Sequence, residues 1–228
     1  MPSLQTAFGF FLVSALLALS PGPDNVFVLV QSALRGPRAG LLVVLGLCSG
    51  LVVHTAAVAL GLAALFAASA AAFTALKWIG AAYLLYLAWG AFRAPVDAAV
   101  VPGAAAEADG WRMYRRGVVM NLTNPKVVVF FLAFLPQFAD PARGPVAPQL
   151  LVLGTVFILA TLLVFGAIAV GSGLFGTLLQ RSARARRALN WLAGTVFQIC
   201  VAVCVTVSTF QSDWPSYELA YSVVALAV

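Results

Sequence analysis

The chain of 228 residues is 63% hydrophobic and only 9% charged, with a formal charge of +6 and a mean hydropathy of +1.02. A soluble domain carries about 25% charged residues, so this composition excludes an ordinary water-soluble fold and turns the question to the number of membrane spans. The basic residues are scattered between apolar runs rather than gathered on one polar face, which argues against nucleic acid as a partner.

A span takes about 20 apolar residues. Six runs qualify, at 4–34, 39–65, 74–92, 117–137, 149–179 and 188–210, so the expected fold is an all-α integral membrane protein with six transmembrane helices. The N-terminus lacks the basic region and small-residue cleavage site of a secretory signal, and the first run is read as a retained span. That run is interrupted by Ser20-Pro21-Gly22-Pro23-Asp24-Asn25. Each proline removes a backbone donor and clashes with the preceding turn, so the helix must break or bend. Backbone groups freed at membrane depth need protein or water around them. Asp24 adds a charge costing roughly 2.5–3.5 kcal/mol at a helix centre.

Span two carries Gly40, Gly46, Gly50 and Gly61 and the single histidine, His54. Gly46 and Gly50 make a small-xxx-small face that suits close helix packing, within the chain or in a homodimer. His54 titrates in a range suited to proton coupling, and equally fits a neutral hydrogen-bonding residue. Span three has Gly80 followed by Tyr83, Tyr86 and Trp89, three apart and so on one face. Residues 93–116 link the two halves. Within them, the Ala/Pro-biased stretch 94–110 lacks periodicity, while Trp111, Arg112, Tyr114, Arg115 and Arg116 read as an interfacial anchor ahead of span four.

Span four is interrupted in turn, at Asn121-Leu122-Thr123-Asn124-Pro125-Lys126. Pro125 denies the Asn121 carbonyl its usual helical bond, leaving polar backbone for an ion or ligand. Phe130, Phe131, Phe134 and Phe138 follow as an apolar stripe. Span five is longer than a bilayer needs, so tilt or an interfacial portion is expected. In span six, Cys200 and Cys204 lie one turn apart with no His or carboxylate close in sequence. They read, like Cys48, as small buried hydrophobes rather than metal ligands. No Gly-rich phosphate loop occurs and no cofactor is implied. Residues 211–228 form an atypical C-terminal tail.

Arg35, Arg38, Arg93, Arg112, Arg115, Arg116, Arg181, Arg184, Arg186 and Arg187 fall on one side of the six-span arrangement, against Lys77 and Arg143 on the other. The positive-inside rule puts the arginine-rich side in the cytoplasm and both termini outside. Three spans per half, 1–92 and 117–210, would make the halves enter the membrane from opposite sides. Interrupted helices one and four would then meet at the axis of an inverted repeat, the usual place of a transport site.

The candidate substrate- or proton-binding residues are therefore Pro23, Asp24 and Asn25 in the first break, His54, and Asn121, Asn124, Pro125 and Lys126 in the second. Asp24 can take up a proton or bind a substrate ammonium, and it can also cap the helix restarting at Val26. Lys126 can pair with Asp24 or hold a substrate carboxylate, and it can equally snorkel to the interface.

Several stretches together resemble one family. These are Leu19 through Asn25, the glycine-rich span from Gly40 through His54, Gly80-Ala81-Ala82-Tyr83-Leu84, and Gly117 through Lys126 with Phe130-Phe131 and Phe134-Leu135-Pro136-Gln137-Phe138. Over about residues 4–200 the chain is similar to the LysE/RhtB family of bacterial amino-acid exporters, and it departs from the pattern past Val196. The resemblance implies a six-span protein of the bacterial inner membrane that exports amino acids or close derivatives, with protons as the coupling ion. Two alternatives come from other classes. One is a non-transporting membrane scaffold. The other is an intramembrane enzyme using Asp24 and His54, for which the chain offers no recognisable nucleophile or metal set.

Overall fold

The first apolar run folds as two helices, α1 (Leu4–Leu19) and α2 (Pro23–Arg35), bent by 64° where the Pro-Gly-Pro stretch interrupts the ladder. The computed structural model describes residues 1–68, 70–94, 109–172 and 182–209, and among these it contains helices and turns but no strand. After α2 come α3 (Pro37–Ala68), α4 (Ala70–Arg93) and α5 (Gly110–Thr123). A single residue, Asn124, separates α5 from the short α6 (Pro125–Val129). A π-helical turn (Phe130–Phe134) and a 3₁₀ turn (Leu135–Phe138) follow, then α7 (Val146–Val170) and α8 (Ala183–Thr209). The break at Asn124 bends this second pair by 51°. Helices α3, α4, α7 and α8 are each long and apolar enough to cross a membrane, and counting each bent pair as one crossing makes six.

Two boundaries differ from those the hydropathy suggests. Helix α5 begins at Gly110 rather than near 117, because the Asp109 side chain accepts from the Trp111 amide (3.3 Å) and caps it. Trp111 through Arg116 are thus its first turns. Helix α4 begins at Ala70 and runs on through Lys77, which is 1% exposed. Lys77 is therefore a buried residue of this helix, inside the expected span 74–92. The last residues of the expected fifth span, most of the linker and the tail 211–228 lie outside the described residues.

Helix α3 packs along both α5 and α7; α1 and α2 pack on α7; α4 packs along α8; the π-helical turn contacts α4, and α1 contacts α8. Exchange of the two halves maps these main pairings onto one another, although among the described residues span one packs more closely on span two than span four does on span five, and the contact of span two with span three has no equal between spans five and six. The contact of span two with span four becomes that of span five with span one, and the pairings two–five and three–six map onto themselves. A two-fold repeat has this property.

Glycine permits the closest of these approaches. A Cβ on Gly46 would run into the Tyr114 carbonyl, and one on Gly117 into the Val43 carbonyl, so α3 and α5 touch backbone to backbone. The small face of span two is thus used within the chain. Phe130, Phe131, Phe134 and Phe138 pack inward with Phe10 and Phe157, ring centroids 4.7–6.4 Å apart. Tyr86 and Trp89 of α4 face outward, as lipid-exposed aromatics do. All three cysteines are buried.

Gly117→Val is expected to destabilise the protein by about 1–3 kcal/mol, because backbone cannot yield as a side chain would. Gly61→Ala, whose Cβ meets open space, serves as the control. A melting temperature in detergent that Gly117→Val leaves unchanged would rule out the α3–α5 contact.

Candidate functional site

The two breaks face each other in the interior, and each supplies partners to the other. In the first, Ser20 closes α1 by donating its amide to the Leu16 and Leu17 carbonyls (3.0 and 3.2 Å). Gly22 then turns the chain, and Pro23, whose missing N–H is harmless at a first helical position, starts α2. Asp24 follows in that first turn and is 2% exposed. In the second break, Asn124 is at once the C-cap of α5 and the N-cap of α6, its Oδ1 accepting from the Lys126 amide (3.0 Å). The other end of the same side chain, Nδ2, donates to Asp24 Oδ2 at 2.8 Å. In the reverse direction Lys126 Nζ donates to the Ser20 carbonyl (3.4 Å) and lies 3.2 Å from where a Gly22 Cβ would be. Lys126 is therefore buried in the interior rather than snorkelling to the interface. Lys126 and Asp24 interact electrostatically without forming a direct ion pair.

The other expected site residues divide. Pro23 and Pro125 are exposed and act on the backbone alone, each as the first residue of a helix. Asn25 turns back to donate its Nδ2 to the Ala18 carbonyl (2.6 Å) and so ties α2 to the end of α1. The Asn121 carbonyl is not left open to a ligand. It accepts from the Asn124 amide (3.1 Å) and from His54 Nε2 (3.4 Å). His54 is thereby a half-buried brace behind the second break, with its ring 5.6 Å from that of Phe131. Asn124 is likewise fully engaged in joining the breaks, which leaves the ligand-facing groups to its neighbours.

Those groups meet in a small cavity of about 20 Å³, lined among others by Asp24, Asn121, Lys126, Thr161 and Phe157. Three buried oxygens there have no hydrogen-bond partner among the described residues: Asp24 Oδ1, Asn121 Oδ1 and Thr161 Oγ1. Buried polar atoms are normally paired, and each exception asks for a reason. An acceptor carboxylate, two neutral polar groups and an ammonium around one space could receive a small polar molecule. At its present size the space takes about one water molecule. Thr161, on α7 and 3% exposed, escaped the sequence reading because a lone threonine in an apolar span looks like any helix residue that bonds back to its own ladder. Gly50 also belongs to the site, since a Cβ there would lie 2.6 Å from Asn121 Oδ1.

A family model described as LysE type translocator matches residues 15–208. The chain belongs to this family. The match runs past Val196 nearly to the end of α8, so the end of span six lies within the family pattern after all. A relative from Salmonella typhimurium, named homoserine/homoserine lactone efflux protein, is 36% identical over 202 residues, covering 86% of this chain and 94% of its own. An uncharacterized membrane protein of Vibrio cholerae is 37% identical over 200 residues, covering 86% and 95%. One from Bacillus subtilis is 30% identical over 170 residues, covering 71% and 80%. No solved structure gives a significant match. The chain is thus a multi-span membrane protein of a translocator family, and the paired breaks are the feature of its interior that a transport function would use.

In this LysE-type translocator Asn124→Ala removes both the cap on α6 and the hydrogen bond to Asp24. The expected cost is about 1 kcal/mol for the cap and about 1–3 kcal/mol for the buried carboxylate left unpaired. Asn124→Ser keeps a good cap but cannot reach Asp24, so its melting temperature in detergent should fall between those of wild type and Asn124→Ala. Two variants as stable as wild type would contradict the cross-link.

Proposed function

We propose that this protein exports amino acids or close derivatives across the bacterial cytoplasmic membrane by alternating access, with protons as the counter-ion. The observation that carries this reading is the buried Asp24 carboxylate facing the Lys126 ammonium across a cavity whose remaining polar groups are Asn121 and Thr161. A zwitterion brings the complementary pair of charges. Its ammonium meets Asp24 Oδ1, the oxygen that Asn124 leaves free, and its carboxylate meets Lys126. Charges taken out of water are tolerated only when paired and hydrogen-bonded, and such a pair of protein charges is suited to a molecule carrying both signs.

The Salmonella relative's name supports the assignment of ends. Homoserine and its lactone share the amino group and differ at the carboxyl, which makes the Asp24 contact the common requirement and the Lys126 contact the more permissive one. Proton antiport follows from the same carboxylate, since a proton and a substrate ammonium compete for Asp24. The cavity is too small for an amino acid, so this conformation is a closed one, and loading requires the two bent pairs to move apart. The arginines lie heavily on one side, against Lys77 and Arg143 on the other. This supports a cytoplasmic linker and external termini. The site offers no nucleophile poised beside a base, which favours transport over catalysis.

Asp24→Asn, nearly isosteric, is expected to lower efflux about 10- to 100-fold, the equivalent of losing a charge-assisted hydrogen bond of about 1.5–3 kcal/mol. The measurement is release of each amino acid from cells preloaded with dipeptides, with membrane levels of the protein checked by immunoblot. Efflux undiminished in both Asp24→Asn and Lys126→Met would reject the site. Export that continues after an ionophore collapses the proton gradient would reject antiport while leaving the site standing.

A further inference from the structure

A second, larger concavity lies outside this site. A groove of about 550 Å³ runs along the outer face of α5, walled on the α2 side by Phe27. At one end it is lined by Arg112, Arg115 and Arg116, and further along by Val119 and Met120. The three arginines are exposed, and none has an ion-pair partner among the described residues. The order of residues follows from helical geometry, since positions three and four apart share a face. Successive members of the series 112, 116, 119 and 123 carry the groove from guanidinium groups to apolar wall over about 1.5 Å per residue. The charged end lies at the level of Trp111, which is 59% exposed and stacked on Tyr114 with ring centroids 5.4 Å apart. Exposed Trp and Tyr mark the headgroup level of a bilayer, and the apolar end, with Val119 58% exposed, extends from there toward the membrane interior.

The geometry points to a binding site for an anionic phospholipid in this groove, its phosphate held by Arg112, Arg115 and Arg116 and one acyl chain lying along Val119, Met120 and Phe27. Guanidinium groups match phosphate oxygens bidentately, and basic pockets beside membrane-spanning helices suit anionic headgroups. A free phosphate ion would engage only the charged end and leave the apolar wall unused, whereas a phospholipid presents charge and hydrocarbon in the same order as the groove. The site also adjoins the helix breaks. Phe27 stands one turn beyond Asp24, and Thr123, at the far end of the groove, is next to Asn124. A bound lipid therefore rests against both bends without entering the cavity between them.

The test is native mass spectrometry of the full-length protein in detergent, titrated with phosphatidylglycerol or with phosphatidylethanolamine of the same acyl chains. Phosphatidylglycerol should bind at least about tenfold more tightly. The preference should vanish in the triple variant Arg112→Gln/Arg115→Gln/Arg116→Gln. It should persist in Arg184→Gln/Arg186→Gln/Arg187→Gln, which removes the same charge from α8. Val119→Asp keeps every arginine and spoils the apolar wall, so it should also weaken binding, and it carries the test if the first triple variant does not fold. Equal affinity for the two lipids, or equal loss in both triple variants, would overturn the proposal. Thermal protection by inorganic phosphate as large as that by phosphatidylglycerol would overturn it too. So would an adduct that forms only after the linker acids Asp97 and Glu107 are replaced by amides, since the groove would then be filled by the chain itself.

Discussion

The hydrogen bond from Asn124 Nδ2 to Asp24 Oδ2 joins residues one hundred positions apart, and the interior is arranged around it. A carboxylate buried in an apolar bundle is tolerable only with partners, and a helix broken at membrane depth is tolerable only if its loose backbone is satisfied by protein. Asn124 meets both conditions with one side chain, capping α6 with its oxygen while its nitrogen serves Asp24. Lys126 completes the exchange by reaching back to the end of α1. Neither break is self-sufficient, and the two form one unit.

Around that unit the helices are positioned by size as much as by polarity. Gly46, Gly50 and Gly117 allow α3 to lie directly on α5, which brings His54 to the Asn121 carbonyl and holds the Asn121 side chain at the cavity wall. The phenylalanine cluster after the second break fills the space on the far side. The one carboxylate oxygen not claimed by Asn124 is thus directed into a confined space with few competitors. A site built this way selects by charge placement rather than by a rigid shape.

Much of this was legible in the residues. Prolines and glycines remove donors and turn the chain in ways that any reader of sequence can anticipate, so both breaks, the six crossings and the pairing of helices one and four were expected. The Asp24–Asn124 bond itself depends on how two distant segments pack, which local chemistry does not specify. Hydropathy gave no sign that Lys77, near the edge of span three, would be almost wholly buried. It likewise placed the start of span four too late, since a cap at Asp109 can begin a helix among arginines. Thr161 passed unnoticed for want of any local mark, and the role of the Asn121 carbonyl was misread because its donor from span two, His54 Nε2, lay 67 positions away in sequence.

The reciprocal bracing of the breaks also bears on how such a chain is made. Asp24 leaves the ribosome a hundred residues ahead of Asn124, and Lys126 comes later still. The first three spans therefore hold an acid group whose partners in the finished protein, Asn124 and Lys126, both belong to the second half. Assembly of the site is complete only when the second half inserts beside them.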